Sequence, residues 1–252
     1  MSAHYDNYDY PAYWKGRDYE HKAEIEALRA FLQSIPKIES ILEIGAGFGR
    51  LVPVYSFRGK KIVISDPSAK LLAIAQNRLK QRKFRFIHSK LENLPLKLKR
   101  ESFDLIICVR VMHHIEDADK FIGIINNLLK VRGYLILEFA NKKHFKASIL
   151  QFIKGNFTFP LDIFPSDKRS KKSIKNQSIP FLNYHPESVK EKLTESGFNI
   201  IKCRSVSNIR NSKLKTMIPT ETLLTLEKYL QIPLSYINFG PSIFILAQKR
   251  IV

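Results

Sequence analysis

No stretch of this 252-residue chain reaches the roughly 18 apolar residues that a membrane-crossing helix needs, and the first residues lack the apolar run of a signal peptide. The expectation is a cytoplasmic protein. Cysteine is scarce. Cys108 and Cys203 each sit in an apolar, strand-like run with no second thiol or His at ligand spacing, so neither a disulfide framework nor a zinc site is expected, and both thiols read as buried structural residues. A Gly/Ser/Pro-rich spacer and internal repeats are missing too, which favours one domain carrying an insertion over two joined by a linker. Acidic residues are few, 23 against 42 Lys and Arg, for a formal charge of +19. Such a balance suits anionic partners (nucleic acid, phospholipid headgroups, a phosphorylated or carboxylate substrate) or a generally lysine-rich surface. It ranks substrates and says nothing about fold.

What is present is a regular alternation. From Ile38 to Ala140, short β-branched runs alternate with amphipathic stretches, as in βαβ units around a parallel sheet. The strands are expected at Ser40 to Ile44, Lys61 to Ser65, Phe84 to His88, Phe103 to Val109 and Gly133 to Phe139. The run Leu105-Ile106-Ile107-Cys108-Val109 is apolar on both faces, which suits a sheet covered by helices on both sides. Phe121, Ile124, Ile125, Leu128 and Leu129 share one helical face, and Gly133 is read as the end of that unit. Pro67 suits the first turn of a helix through Leu71, Leu72, Ala75 and Leu79, with Asp66 as its cap. Ile25, Leu28 and Leu32 mark an amino-terminal helix outside the sheet. Residues 141–182 hold nine Lys or Arg against two Asp, with interspersed Phe and Ile, and read as an insertion or lid. Order resumes with a helix from His185-Pro186-Glu187 to Gly197, a strand Phe198 to Val206, a helix Pro219 to Leu230 and a last strand Ser242 to Gln248.

The first strand runs through Glu43 into Gly45-Ala46-Gly47-Phe48-Gly49, placing a tight turn and exposed amides at the carboxyl edge of the sheet, where open α/β folds bind ligands. Dinucleotide-binding proteins also carry a glycine loop here, but their fingerprint has a third small residue where this chain has Arg50.

With Ile64-Ser65-Asp66-Pro67-Ser68, Leu91-Glu92-Asn93-Leu94-Pro95, Phe103-Asp104-Leu105-Ile106, Met112-His113-His114-Ile115 and Gly133-Tyr134-Leu135 in this order, most of the chain resembles the class I S-adenosylmethionine-dependent methyltransferases. The similarity is greatest to the group acting on small molecules, lipids and quinones. The resemblance implies an α/β, Rossmann-like, doubly wound and mostly parallel seven-stranded sheet with an antiparallel last strand and a helical cap. It divides a single domain into lid helices (1–36), a cofactor-binding half (38–140), the basic aromatic insertion (141–182) and a substrate-side half (183–252). It also implies that S-adenosyl-L-methionine is bordered by Gly45, Ala46 and Gly47. Glu43 then engages the ammonium, and Asp66, followed by Pro67, accepts the ribose hydroxyls, a task suited to a carboxylate's two acceptor oxygens. The adenine edge falls to Leu91 and Glu92, whose backbone brings a donor and an acceptor each. Where the family often has an Asp before Leu91, this chain has Lys90. Val109 and Arg110 follow the fourth strand toward the methionine. Arg110 either points outward into solvent or meets the cofactor carboxylate or an anionic substrate.

The sulfonium methyl is already electrophilic, so the chain must mainly align a nucleophile and, where necessary, deprotonate it; no metal is needed. His113 is the one candidate base, set against a packing role. Tyr8, Tyr10, Tyr13, Trp14, Arg17 and Tyr19 read as a lid over cofactor and substrate, Tyr13, Trp14 and Arg17 above all, or as a plain packing patch. Phe145, Phe152, Phe157, Phe159 and Phe164, with Leu223, Leu224, Leu226 and Leu230, would roof a hydrophobic acceptor pocket, rest on a membrane surface, or form a cap without ligand. Three functions stay open. The first is methyl transfer to an O, N or C nucleophile of a small or lipid-like, anionic acceptor. The second is RNA methylation drawing on the basic charge. The third is a noncatalytic cofactor-binding scaffold.

Overall fold

The computed structural model describes residue 6 and residues 9–80, 83–176 and 178–251; Tyr8 lies outside them. In chain order, α1 (Tyr10–Tyr13) and α2 (Asp18–Leu32) precede β1 (Ser40–Ile44), α3 (Val52–Tyr55), β2 (Lys61–Asp66), α4 (Ala69–Arg78) and β3 (Phe84–His88). Then come α5 (Leu94–Lys97), β4 (Phe103–Cys108), α6 (Ala118–Leu128), β5 (Leu129–Ala140), α7 (Phe145–Ile153), β6 (Ser166–Asp167), α8 (Lys171–Lys175) and β7 (Leu182–Asn183). The last elements are α9 (Pro186–Glu195), β8 (Phe198–Val206), α10 (Ser212–Met217), α11 (Thr220–Leu230), α12 (Pro233–Tyr236) and β9 (Ser242–Lys249).

Seven strands form one sheet in the order β3-β2-β1-β4-β5-β9-β8, while β6 and β7 pair by themselves. Neighbours from β3 to β5 run parallel, and β9 lies antiparallel to both β5 and β8, as expected for a Rossmann-like sheet with a reversed last strand. The order reverses at β1, and that switch point opens the crevice at the strands' carboxyl ends. Alternation along the central strands feeds two cores. Leu42, Ile106 and Cys108 pack toward α6 and α9, whereas Ile41, Leu105 and Ile107 pack toward α2, α3 and α11. Each fully buried aliphatic side chain contributes about 1.5–3 kcal/mol, so the sheet is secured from both faces.

Several local expectations are corrected. Asp66 does not cap the helix after β2: Ser68 does, its hydroxyl accepting from the Leu71 amide, and α4 begins at Ala69 because both Asp66 oxygens are engaged elsewhere. Gly133 does not terminate α6. That helix stops at Leu128, and Gly133 lies inside β5 at an irregular register with β4, where an added Cβ would crowd the Lys130 and Phe103 carbonyls. On α11, Leu223 and Leu224 are buried in the core shared with α2, while Leu226 is exposed. Cys108 is fully buried, but Cys203 is only half-buried, near the edge of the sheet.

Candidate functional site

Two glycines give the loop after β1 its shape. Gly45 and Gly47 have φ of +70° and +56°, the left-handed region that only glycine enters without strain. A Cβ on Gly45 would collide with Val111 from the loop after β4, and one on Gly47 would touch the Tyr10 ring at 3.6 Å. The loop amides are not exposed, contrary to expectation. Gly45 and Ala46 donate to the Ser65 carbonyl at 2.9 and 3.0 Å, and Gly47 donates to Asp66 Oδ2 at 2.7 Å. The loop is thus tied to β2, and a ligand here meets a shaped rim.

Asp66, at the end of β2, also accepts from the Ser68 amide at 2.7 Å. Burial pushes its carboxyl up to about 6, against the pull of those two amides. Glu43 is 3% exposed and accepts from the Tyr55 hydroxyl at 2.6 Å; burial raises its carboxyl to about 7. Both acids therefore hold their protons more tightly than free carboxyls, and a cationic or hydroxyl-bearing ligand would favour their ionised forms. Pro67 is half-buried beside Asp66, and its carbonyl faces His88 Nε2 at 3.0 Å. Leu91 is buried at the start of a short helical turn after β3, with Lys90 and Glu92 exposed on either side. Val109 is buried just past β4.

Arg110 does not point out into solvent. It sits at φ +60°, its amide donating to Glu138 Oε2 at 2.7 Å, and its guanidinium pairs with Glu24 at 2.6 Å. Glu24, 1% exposed, also pairs with Arg50 at 2.6 Å, and the Arg50 and Arg110 guanidiniums lie 3.7 and 4.7 Å from the Trp14 ring centroid. Burial alone would raise the Glu24 carboxyl, but Arg110 and Arg50 more than offset it and hold it below the usual range. One acid on α2 thus joins the loop after β1, the loop after β4 and the aromatic amino-terminal segment. The sequence reading missed Glu24 and Glu138. Their signal was a carboxylate on the buried stripe of α2 (Tyr19, Ala23, Ala27, Leu28) and another inside the apolar run of β5.

In the aromatic segment, Tyr10, Tyr13 and Trp14 pack with Phe48 and Leu71 directly over the glycine loop, and exposed Arg17 stacks on Tyr13 at 4.1 Å. Tyr19 stands apart from this cluster, because its hydroxyl donates to buried Glu227 at 2.5 Å and ties α2 to α11. His113 is buried, its ring 3.9 Å from His114 and 4.7 Å from Phe181; burial, then the charges of His114 and Arg110, hold it well below the ordinary histidine range. In this setting the ring's neutral form is favoured. A cavity of about 470 Å³ opens between α2 and α11, and no glycine-loop residue lines it. Among the described residues no cluster of His, Cys, Asp and Glu has the form of a metal site, and no helix is long and apolar enough to cross a membrane.

Residues 42–137 match the methyltransferase domain family. A ubiquinone biosynthesis O-methyltransferase of Rhodopseudomonas palustris is 27% identical over 111 residues, 40% of this chain and 40% of that protein. A demethylmenaquinone methyltransferase of Tropheryma whipplei is 31% identical over 110 residues, 43% of this chain and 45% of the relative, so these matches span less than half of either relative. Over nearly its whole length, 98% of both chains, the fold superposes on a SAM-dependent methyltransferase of Thermotoga maritima with a TM-score of 0.65 at 21% identity. Residues 42–137 thus match the methyltransferase domain family, and the chain as a whole has the Rossmann-like fold seen in that solved S-adenosylmethionine-dependent methyltransferase.

Proposed function

We propose that the protein transfers a methyl group from S-adenosyl-L-methionine to an O, N or C nucleophile of a small, lipid-like acceptor. The observation that carries this reading is the pairing of a glycine rim with a buried acid. Asp66 lies beside Gly47, in a loop whose Gly45 has no room for a Cβ and whose Gly45 and Gly47 both adopt positive φ. A buried carboxylate next to a narrow rim fits a nucleoside ribose, since its oxygens keep acceptor capacity beyond the two amides they already hold. In this reading Glu43 faces the cofactor's ammonium, Gly45, Ala46 and Gly47 border its methionine part, and the backbone at Leu91 and Glu92 reads the adenine edge. Pro67, Val109 and the Arg110 backbone complete the walls.

The cofactor supplies an electrophilic methyl on a sulfonium. The chain's part is to exclude water and to balance charge. Tyr10, Tyr13, Trp14 and Phe48 cover the loop, and Glu24 offsets part of the charge of the two guanidiniums that would otherwise repel a cation. The segments 1–36, 38–140, 141–182 and 183–252 act as lid, cofactor half, acceptor-side insertion and closing half of a single domain. Quinone-type acceptors of the sequence relatives support a lipid-like substrate. The basic surplus supports an anionic one at a membrane surface, reached from the cytoplasm.

The test supplies S-adenosylmethionine labelled on its methyl to the purified protein together with a cell extract. Label moving into the solvent-extracted lipid fraction supports the reading. Label confined to an RNase-sensitive fraction moves the function to RNA, and none moving in any extract leaves a scaffold.

A further inference from the structure

Helix α7 holds Phe145, Ile149, Leu150, Phe152 and Ile153, yet contains no buried residue. Phe152 and Ile153 are 65% and 74% exposed. Residues 145, 149, 152 and 153 fall at i, i+4, i+7 and i+8, one continuous face of the helix. That face extends beyond α7. Phe145 stacks on Phe239 at 4.8 Å, next to exposed Tyr236 and Ile237, and Phe157 meets Phe152 edge-on at 5.1 Å. Farther along, the Lys142 ammonium, itself buried, takes the Asp162 and Phe164 carbonyls at 2.8 and 2.7 Å. It thereby anchors a loop that leaves Leu161 and Phe164 largely exposed.

The charge around this face is of one sign. Residues 141–182 carry nine cations, of which Lys142 and Arg169 are paired with the two aspartates, Asp162 and Asp167. Among the described residues the other seven, including Lys143, Lys146, Lys154 and Lys168, form no ion pair. At the start of α7, Arg210, Lys168 and Lys146 crowd half-buried His144, and burial followed by those charges lowers its imidazole to about 4. An apolar helix face ringed by uncompensated lysines matches a bilayer surface with anionic headgroups, where the side chains enter the acyl boundary and the ammoniums meet phosphate. A protein partner would need an acidic rim around an apolar groove. A second copy of this chain would bring the same cations face to face.

We propose that the exposed face of α7, with Phe157, Leu161, Phe164 and the Tyr236–Ile237 corner, docks on an anionic lipid bilayer and brings the end of β5 to the membrane surface. This rests on the lipid-acceptor reading and gives that acceptor its source. The probe is the full chain sedimented with vesicles of phosphatidylglycerol and phosphatidylcholine in equal parts, against vesicles of phosphatidylcholine alone. The wild type is expected to pellet with the anionic vesicles at low salt and to be released by high salt. The charge variant K146E/K154E should lower partitioning on the order of tenfold or more. F152D/I153D should lower it similarly while keeping the wild-type circular dichroism, since both residues are exposed. Equal pelleting with neutral vesicles, no loss in either variant, or a wild-type dimer that F152D/I153D dissociates without any vesicle binding overturns the docking face. Vesicle binding without transfer of label to lipid overturns the functional reading alone, and transfer without vesicle binding overturns the docking face alone.

Discussion

Removing the Glu24 carboxylate should uncouple the amino-terminal segment from the loops that frame the site. The Glu24→Gln variant keeps the side chain's size but takes from the Arg50 and Arg110 guanidiniums, now 2.6 Å from its oxygens, the carboxylate they share beside the Trp14 ring. Breaking a buried pair from one side costs about 3–5 kcal/mol. Here the arginine side chains are 10% and 25% exposed, so water recovers part of the penalty, and about 3 kcal/mol is expected. Urea unfolding followed by circular dichroism reads this as a lower midpoint at unchanged slope. Adding Arg50→Gln to the variant should cost less than the two single changes together, by about 1–3 kcal/mol, because the second substitution removes a charge already stranded. The carboxyl of Glu24 is lowered in the folded state, so its contribution is present above the ordinary value of 4.5 and is lost as pH falls below it. Wild type and variant should therefore converge in acid. A loss under about 1 kcal/mol at neutral pH, or a gap that persists in acid, would refute the reasoning.

Cofactor affinity should depend on pH with a definite sign. Burial raises Asp66 to about 6 and Glu43 to about 7, so the free protein holds extra protons, and its stability falls as pH climbs from the ordinary carboxylate values through these. A ligand that needs both ionised forms should bind about tenfold more tightly per pH unit gained between the two values, more steeply below the lower one, and level off above the higher. Calorimetry in buffers of different ionisation enthalpy should show proton release near pH 6, reduced in Glu43→Gln. Gly45→Ala places a Cβ against Val111 at positive φ and should cost about 1–3 kcal/mol along with cofactor binding. Gly16→Ala, also at positive φ but with nothing within 4 Å, should lose some stability and bind normally; thermal shift with and without cofactor separates the two.

The sheet was legible in the sequence because its signal is local. Apolar runs bounded by Gly, Pro and Asp mark the parallel strands, and Gly45 to Gly49 mark the switch point. What the sequence hid depends on distant partners. Asp66 has the form of a helix cap from its neighbours alone, yet its oxygens serve Gly47, 19 residues earlier, as well as Ser68. Arg110 follows an apolar strand as a solvated charge would, and only the fold brings it to Glu24, 86 residues away in the chain. Tyr19 belongs to the aromatic cluster by spacing but answers to Glu227, 208 residues on. Helices α10 and α12 were not anticipated because each is six residues or fewer, too short for periodicity to register. Helix α7, nine residues long, was read only as part of a basic, aromatic insertion, because its apolar face meets no core and the lysines around it mask the period.

The most direct test of the central claim is isothermal titration of S-adenosylmethionine into the wild type and into Asp66→Asn at neutral pH. The account predicts saturable one-to-one binding to the wild type and at least a roughly tenfold loss in the variant, since hydrogen bonds to a charged acceptor are each worth about 1.5–3 kcal/mol. No binding to the wild type, or equal affinity in a folded Asp66→Asn variant, would contradict it.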